Sequence, residues 1–124
     1  MSDLSSFMHD KRAELLAGDY VDSESNRLSC WKTASQIAKL MRDNGKEPVV
    51  VEMADVVEGT IQPLCPLLYE GRVTFGGHVA VMVDGLIYDP LLEEPEPVAT
   101  YAQKAFGKDL DLRDVPDDVW LHIQ

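Results

Sequence analysis

Basic residues are scarce in this sequence: 11 Lys and Arg stand against 22 Asp and Glu, a net charge of −11 over 124 residues. A surface with that surplus repels phosphate backbones, and no basic stripe interrupts it, which argues against nucleic-acid binding. The acidity favours solubility or a basic protein partner, although surplus carboxylates are most often just a solvated surface. Cysteine is sparse as well. Cys30 and Cys65 are the only two, without metal-type spacing, and they read as free thiols rather than a disulfide. No apolar run approaches the ~20 residues of a membrane span. The stretch Met1-Ser2-Asp3-Leu4-Ser5-Ser6 lacks the basic-then-apolar order of a secretory signal. Synthesis in the cytoplasm follows as an expectation, with later delivery by a signal-independent system left open. No cofactor and no metal are expected.

What is present is enough for a core. Hydrophobic residues make up 45% of the chain, and a chain of this length buries roughly 65% of its unfolded surface. A single domain over 1–124 is expected. Residues 3–17 predict an amphipathic helix with Leu4, Phe7, Met8, Leu15 and Leu16 on one side and Gly18 as the stop. Residues 19–27 are polar and read as loop. A second helix is predicted from Cys30 to Asp43, with Ser29 as N-cap, Cys30, Ala34, Ile37, Ala38 and Met41 at helical spacing, and Asn44-Gly45 as its end. After Pro48, residues 49–53 read as a buried strand. Residues 54–71, punctuated by Gly59, Pro63, Pro66 and Gly71, read as a long loop with room for one short element, with a strand starting at 72–75. Asp84-Gly85 predicts a tight hairpin of 78–83 and 86–89, because that pair supplies the positive φ angles a two-residue turn needs. A helix over 98–106 stopped by Gly107 and an edge strand over Val119–Ile123 complete the reading. The fold class expected is α+β, with helices on a largely antiparallel sheet.

Three residues stand where nucleophilic chemistry needs them. Cys30 is placed on a helix, His78 at the start of a strand, and Asp89 at the end of the next. A thiol needs a base to become a thiolate, and the base needs a group to orient it. The hairpin tests the pairing. If Val83 faces Leu86, then Ala80 faces Asp89, and His78, Ala80 and Met82 share a face with Ile87, Asp89 and Leu91. His78 and Asp89 are then diagonal neighbours, roughly 7–8 Å apart at the backbone. A helix start at Cys30 would add the positive end of the macrodipole and a backbone N–H for a developing oxyanion. Gly76-Gly77 would leave room for substrate beside His78.

Ser29-Cys30-Trp31 followed by Ala34 resembles the nucleophile motif of the papain family, and Gly77-His78-Val79-Ala80-Val81-Met82-Val83-Asp84-Gly85 is similar to its histidine strand. The continuation to Tyr88-Asp89-Pro90 looks still more like the transglutaminase-like branch, where an aspartate follows the histidine. The resemblance covers about residues 28–91. It implies a papain-like core, with the N-terminal nucleophile helix packed on a small, mainly antiparallel sheet, and a Cys30, His78, Asp89 triad. It also implies a protein or peptide-like amide as substrate. His78 and Asp89 follow Cys30 within about 60 residues, against roughly 130–150 in papain-type enzymes. A compact version, as in bacterial effector and toxin domains, amidases and deamidases, fits that length. The family's upstream glutamine would fall on Glu24, which leaves Asn26 as the substitute oxyanion donor. Trp31 and Gly77 are the other candidate substrate contacts.

Each of these residues also has an ordinary explanation. A free Cys is commonly a small core hydrophobe, a strand-end His commonly bonds a loop carbonyl, and Asp before Pro commonly ends a strand. Trp31 can be packing, and Cys65 loop filler. A zinc site of Cys30, His78 and Asp89 would need three segments giving one ligand each, a weak metal pattern. Two hypotheses remain. One is a thiol-dependent hydrolase or acyl transferase acting through a thioester, as a protease, amidase or glutamine deamidase does, with the 54–75 loop as substrate wall. The other is a non-catalytic binding, immunity or adaptor module on the same fold.

Overall fold

The β-branched run after Pro48 forms the centre of the sheet. In the structure, a computed structural model that describes the backbone of residues 2–16, 23–69 and 77–122 and the side chains of 4–13, 30–68 and 77–122, strand β1 spans Val49–Val57. Val50 and Val51 point to opposite faces and both are buried. An uninterrupted apolar run needs cover on both sides, and this sheet has it. One face packs on helices α1 (Ser2–Leu16) and α2 (Ser23–Asp43), through Ala34, Ile37, Ala38 and Met41 against Val50 and Val81. The other packs on helix α3 (Val98–Phe106), through Tyr101, Ala105 and Phe106 against Val51, Ala80 and Ile87.

Every strand pairing among the described residues is antiparallel. β3 (His78–Val83) lies beside β1, with Val51 opposite Ala80 and Met53 opposite His78. β4 (Leu86–Tyr88) pairs with β3, and the two-residue β5 (Glu96–Pro97) pairs with β4. β1 is also paired by β2 (Thr60–Gln62) and by β6 (Asp111–Val115). The anticipated α+β class holds. Among the described residues no helix is long and apolar enough to cross a membrane.

Four local expectations are corrected. α2 begins at Ser23, about two turns before Cys30, so residues 23–27 are helix rather than loop, Ser29 is no N-cap and Cys30 does not open the helix. Lengthening an existing helix is far easier than nucleating one, which lets a polar stretch join it. Residues 54–62 are not loop. β1 runs on to Val57 and turns back through Glu58-Gly59, at φ 52° and 78°, into β2. That is the same positive-φ device as Asp84-Gly85, with a less telling first residue. Beyond β2 the chain buries Leu64 and Pro66 and makes a 3₁₀ turn at Leu67–Tyr69. The last edge strand is β6, whereas Asp117–Trp120 forms a short helix, α4, where a strand was expected. Pro116 followed by two aspartates is a helix start, since carboxylates favour the first turn. Trp120 is fully buried, its carbonyl accepts from Ser35 Oγ at 2.8 Å, and Arg42 lies over its ring while pairing with Asp117 at 2.9 Å. The expected strand start at 72–75, residues 17–22 and the side chains of Leu15 and Leu16 lie outside the described residues.

The 98–106 helix, its stop at Gly107 (φ 74°) and the Asn44-Gly45 turn are as anticipated. The Asp84-Gly85 hairpin sets the register on which the candidate site depends. A Cβ on Gly85 would meet nothing within 4 Å, but its φ of 80° is unfavourable for any side chain. Gly85→Ala should therefore cost about 1–2 kcal/mol through conformation alone. Urea unfolding should show a lower midpoint at unchanged slope; an unmoved midpoint would contradict this account of the turn.

Candidate active site

The ladder between β3 and β4 pairs Val83 with Leu86, Met82 with Ile87 and Val81 with Tyr88. Asp89 follows at once, where the strand has ended and the chain turns through Pro90. The diagonal relation to His78 is realised as a contact, with His78 Nε2 2.8 Å from Asp89 Oδ2. Both side chains are almost wholly buried, at 6% and 3% exposure. Alternation along β3 explains how. His78 and Ala80 face α3, whereas Val79 and Val81 face α2.

Cys30 comes from the opposite layer. It sits on the buried stripe of α2, one turn before Ala34, and is half-buried. Its Sγ accepts the Val79 N–H at 3.2 Å. The charge of Cys30 is among the causes that raise the His78 pKa, which puts the thiol within electrostatic reach of the imidazole. The carboxylate and the imidazole are in direct contact, and the sulfur is bound at the next residue of β3, Val79. Among the described residues no group of three or more His, Cys, Asp and Glu side chains could hold a metal ion.

Burial opposes charge at both ends of the buried pair. It lowers the pKa of His78, but the charges of Cys30 and Asp89 and the hydrogen bond to Asp89 outweigh it and hold the imidazole well above its ordinary value. Burial raises the pKa of Asp89, and the charge and hydrogen bond of His78, the Leu91 N–H and the Tyr101 hydroxyl reverse that and hold it below its ordinary value. The arrangement favours a carboxylate and an imidazolium.

Sequence reasoning missed several partners. Leu91 N–H donates to Asp89 Oδ1 at 3.0 Å, and the Tyr101 hydroxyl donates to Asp89 Oδ2. Phe106 presents an edge-on contact to the His78 ring, with centroids 5.7 Å apart. Arg12 of α1 reaches the Pro90 and Leu91 carbonyls at 3.3 and 2.8 Å, securing the turn that carries Asp89. The only sequence signal for Tyr101 is its place on the buried face of a short helix.

The other candidates fare differently. The Cys30 N–H lies inside α2, where helix geometry commits it to a carbonyl one turn back, so the oxyanion role expected of it is withdrawn. Asn26 also lies on α2, with its side chain outside the described residues. Trp31 is half-buried and packs on the α2-facing core. Gly77 is half-buried beside His78, and a Cβ there would make only ordinary contact, 3.5 Å from the Met53 carbonyl. Gly76 lies outside the described residues. Cys65 sits between β2 and the 3₁₀ turn, half-buried. No protein-family model, curated protein or solved structure matches this chain.

The buried pair ties stability to pH. A raised His78 pKa stabilises fully below about 6.5 and loses that contribution as pH rises through the folded-state value. The lowered Asp89 pKa contributes above about 3.8 and is lost as pH falls through its folded-state value. Melting curves from pH 4 to 9 should therefore show a gap between wild type and His78→Gln that is widest in mildly acidic solution and narrows toward alkaline pH. A gap of constant width would show that the imidazole proton contributes nothing to the fold.

Proposed function

We propose that this protein is a cysteine-dependent amide hydrolase or acyl transferase with a compact papain-like core, working through a thioester on Cys30. The observation that carries the reading is the His78 imidazole, hydrogen-bonded to a buried carboxylate, at the end of a strand whose next residue, Val79, binds the Cys30 sulfur. A histidine that merely filled a strand end would need no buried carboxylate. The hydrogen bond from Val79 N–H to Sγ adds support, because it stabilises negative charge on sulfur.

In the proposed reaction His78, in its neutral form, accepts the Cys30 proton and the sulfur attacks the carbonyl carbon of an amide. The tetrahedral intermediate collapses as the imidazolium returns that proton to the departing nitrogen, which leaves as an amine and gives the thioester. Water or a second amine then attacks, His78 takes its proton, and the C–S bond breaks to regenerate the thiol. Asp89 fixes the tautomer and heading of the ring throughout. Asn26, one turn before Cys30, is the side chain proposed to donate to the oxyanion, with Trp31 and Gly77 as neighbouring substrate contacts. Water as acceptor gives a protease, amidase or deamidase, and an amine gives a transferase. The net charge of −11 favours a basic protein or peptide as the amide donor.

Competitive alkylation tests the reading. Near neutral pH iodoacetamide should modify Cys30 at least about tenfold faster than Cys65, and His78→Ala should erase the difference. Cys30→Ala should fold normally, since it removes one atom from a half-buried position, and should abolish capture of a thioester partner. Equal, slow labelling of both cysteines would leave a binding module as the better description.

A further inference from the structure

Helix α3 contributes none of the three reacting residues, yet it supplies two of the side chains around them. Phe106 braces the His78 ring, and Tyr101, fully buried, directs its hydroxyl at Asp89. We infer that Tyr101 is a positioning residue of the triad, donating to the same carboxylate oxygen that His78 Nε2 uses and so fixing the direction in which the imidazole meets Cys30. This rests on the relay reading of Cys30, His78 and Asp89 and extends it to a fourth side chain.

The geometry argues for more than satisfaction of a buried hydroxyl. Asp89 accepts three donors, His78 and Tyr101 on Oδ2 and the Leu91 N–H on Oδ1. A carboxylate held at both oxygens cannot turn about its own axis without breaking bonds on each side. The Leu91 bond is local, two residues along the same turn. Tyr101 is different, because it ties the carboxylate to a helix on the far side of the sheet from Cys30. The imidazole is restrained by Asp89 at one nitrogen and by Phe106 at its edge, which fixes the heading of its other nitrogen. A phenol suits this position. It is neutral over the range in which imidazole and thiol titrate, so it donates without altering the charge of the relay. Burial and the adjoining carboxylate push its ionisation still higher. Among the described residues, the titratable or charged groups facing this carboxylate are His78 from β3 and Tyr101 from α3. Cys30 of α2 lies beyond the imidazole, and Arg12 of α1 sits on the neighbouring Pro90 and Leu91 carbonyls.

The test uses the full chain and the pH dependence of Cys30 alkylation in four proteins: wild type, Tyr101→Phe, Asp89→Asn and the double variant. Tyr101→Phe keeps the ring and removes the donor. It should slow alkylation near neutral pH by about three- to tenfold and move the acid side of the profile upward, because the carboxylate loses a bond that favours its ionised form. In the Asp89→Asn background the same change should matter by less than about twofold, since a residue acting through Asp89 has nothing left to act on. An unchanged profile, or equal slowing in both backgrounds, would reduce Tyr101 to packing and overturn the inference while leaving the relay intact. If Cys30 in wild type reacts no faster than Cys65, the relay itself has failed and the inference falls with it. Should Tyr101→Phe not fold, a ring-fluorinated tyrosine at the same position keeps shape and hydroxyl while donating more strongly. The acid side of its profile should then move downward, and an unmoved profile would overturn the inference equally.

Discussion

Asp89 is a carboxylate almost wholly removed from water, and the surrounding architecture is arranged so that it can stay ionised there. An isolated buried carboxylate costs several kcal/mol even after the protein relaxes. Here the cost is offset by an imidazole from β3, a backbone N–H from the turn after β4 and a phenol from α3. Each donor belongs to a different element, so the carboxylate acts as a pin through the hairpin and the helix behind it. The turn itself is held from outside by Arg12 of α1. Displacing any of these elements would leave a buried charge short of partners, a larger penalty than the loss of an ordinary contact.

The thiol reaches this pin from the other layer. Val79 and Val81 bury against α2 while His78 and Ala80 bury against α3, so one strand carries both cores on alternate residues. Cys30 packs with the α2 core, and the two layers communicate at the first residues of β3. There the Val79 N–H is bound by sulfur. The strand end is the natural meeting point, because farther along β3 the sheet stands between the layers. This explains how a cysteine from one layer and a carboxylate from the other come to adjacent residues of one strand.

The parts of this arrangement governed by local chemistry were readable from the sequence. Asp84-Gly85 defines a two-residue turn, the turn defines the register, and the register brings His78 and Asp89 together. The spacing of Ala34, Ile37, Ala38 and Met41 defines the buried stripe that continues back to Cys30. Features decided by distant packing were not readable. Nothing near Tyr101 says that its hydroxyl meets Asp89, because that contact depends on how α3 folds back over the sheet. The polar composition of Ser23–Arg27 pointed to a loop, whereas an adjoining helix makes its helical form inexpensive. Val119 and Trp120 have strand-like side chains, yet the pocket beside Ser35 and Arg42 takes Trp120 from a helical turn. Gly59 marked a break in the chain, and the prolines farther along drew the whole stretch toward a loop.

Stability alone gives a poor account of why these polar groups are inside. Buried ion pairs replaced by apolar side chains of similar volume often leave a protein as stable, or more stable by about 1–4 kcal/mol. The position facing α3 is lined by Ala80, Ile87, Leu91 and Phe106, an environment in which an apolar pair would pack without any desolvation cost. A histidine and an aspartate there need three hydrogen bonds and a second layer of support merely to approach parity. Conformational specificity is the structural alternative, but the hairpin register is already fixed by the positive-φ turn and by the alternation of buried residues along β3. It does not need an ion pair to specify it. Under the proposed chemistry, control of a proton at Cys30 is the demand that would account for the carboxylate, the ring and the donors behind them together.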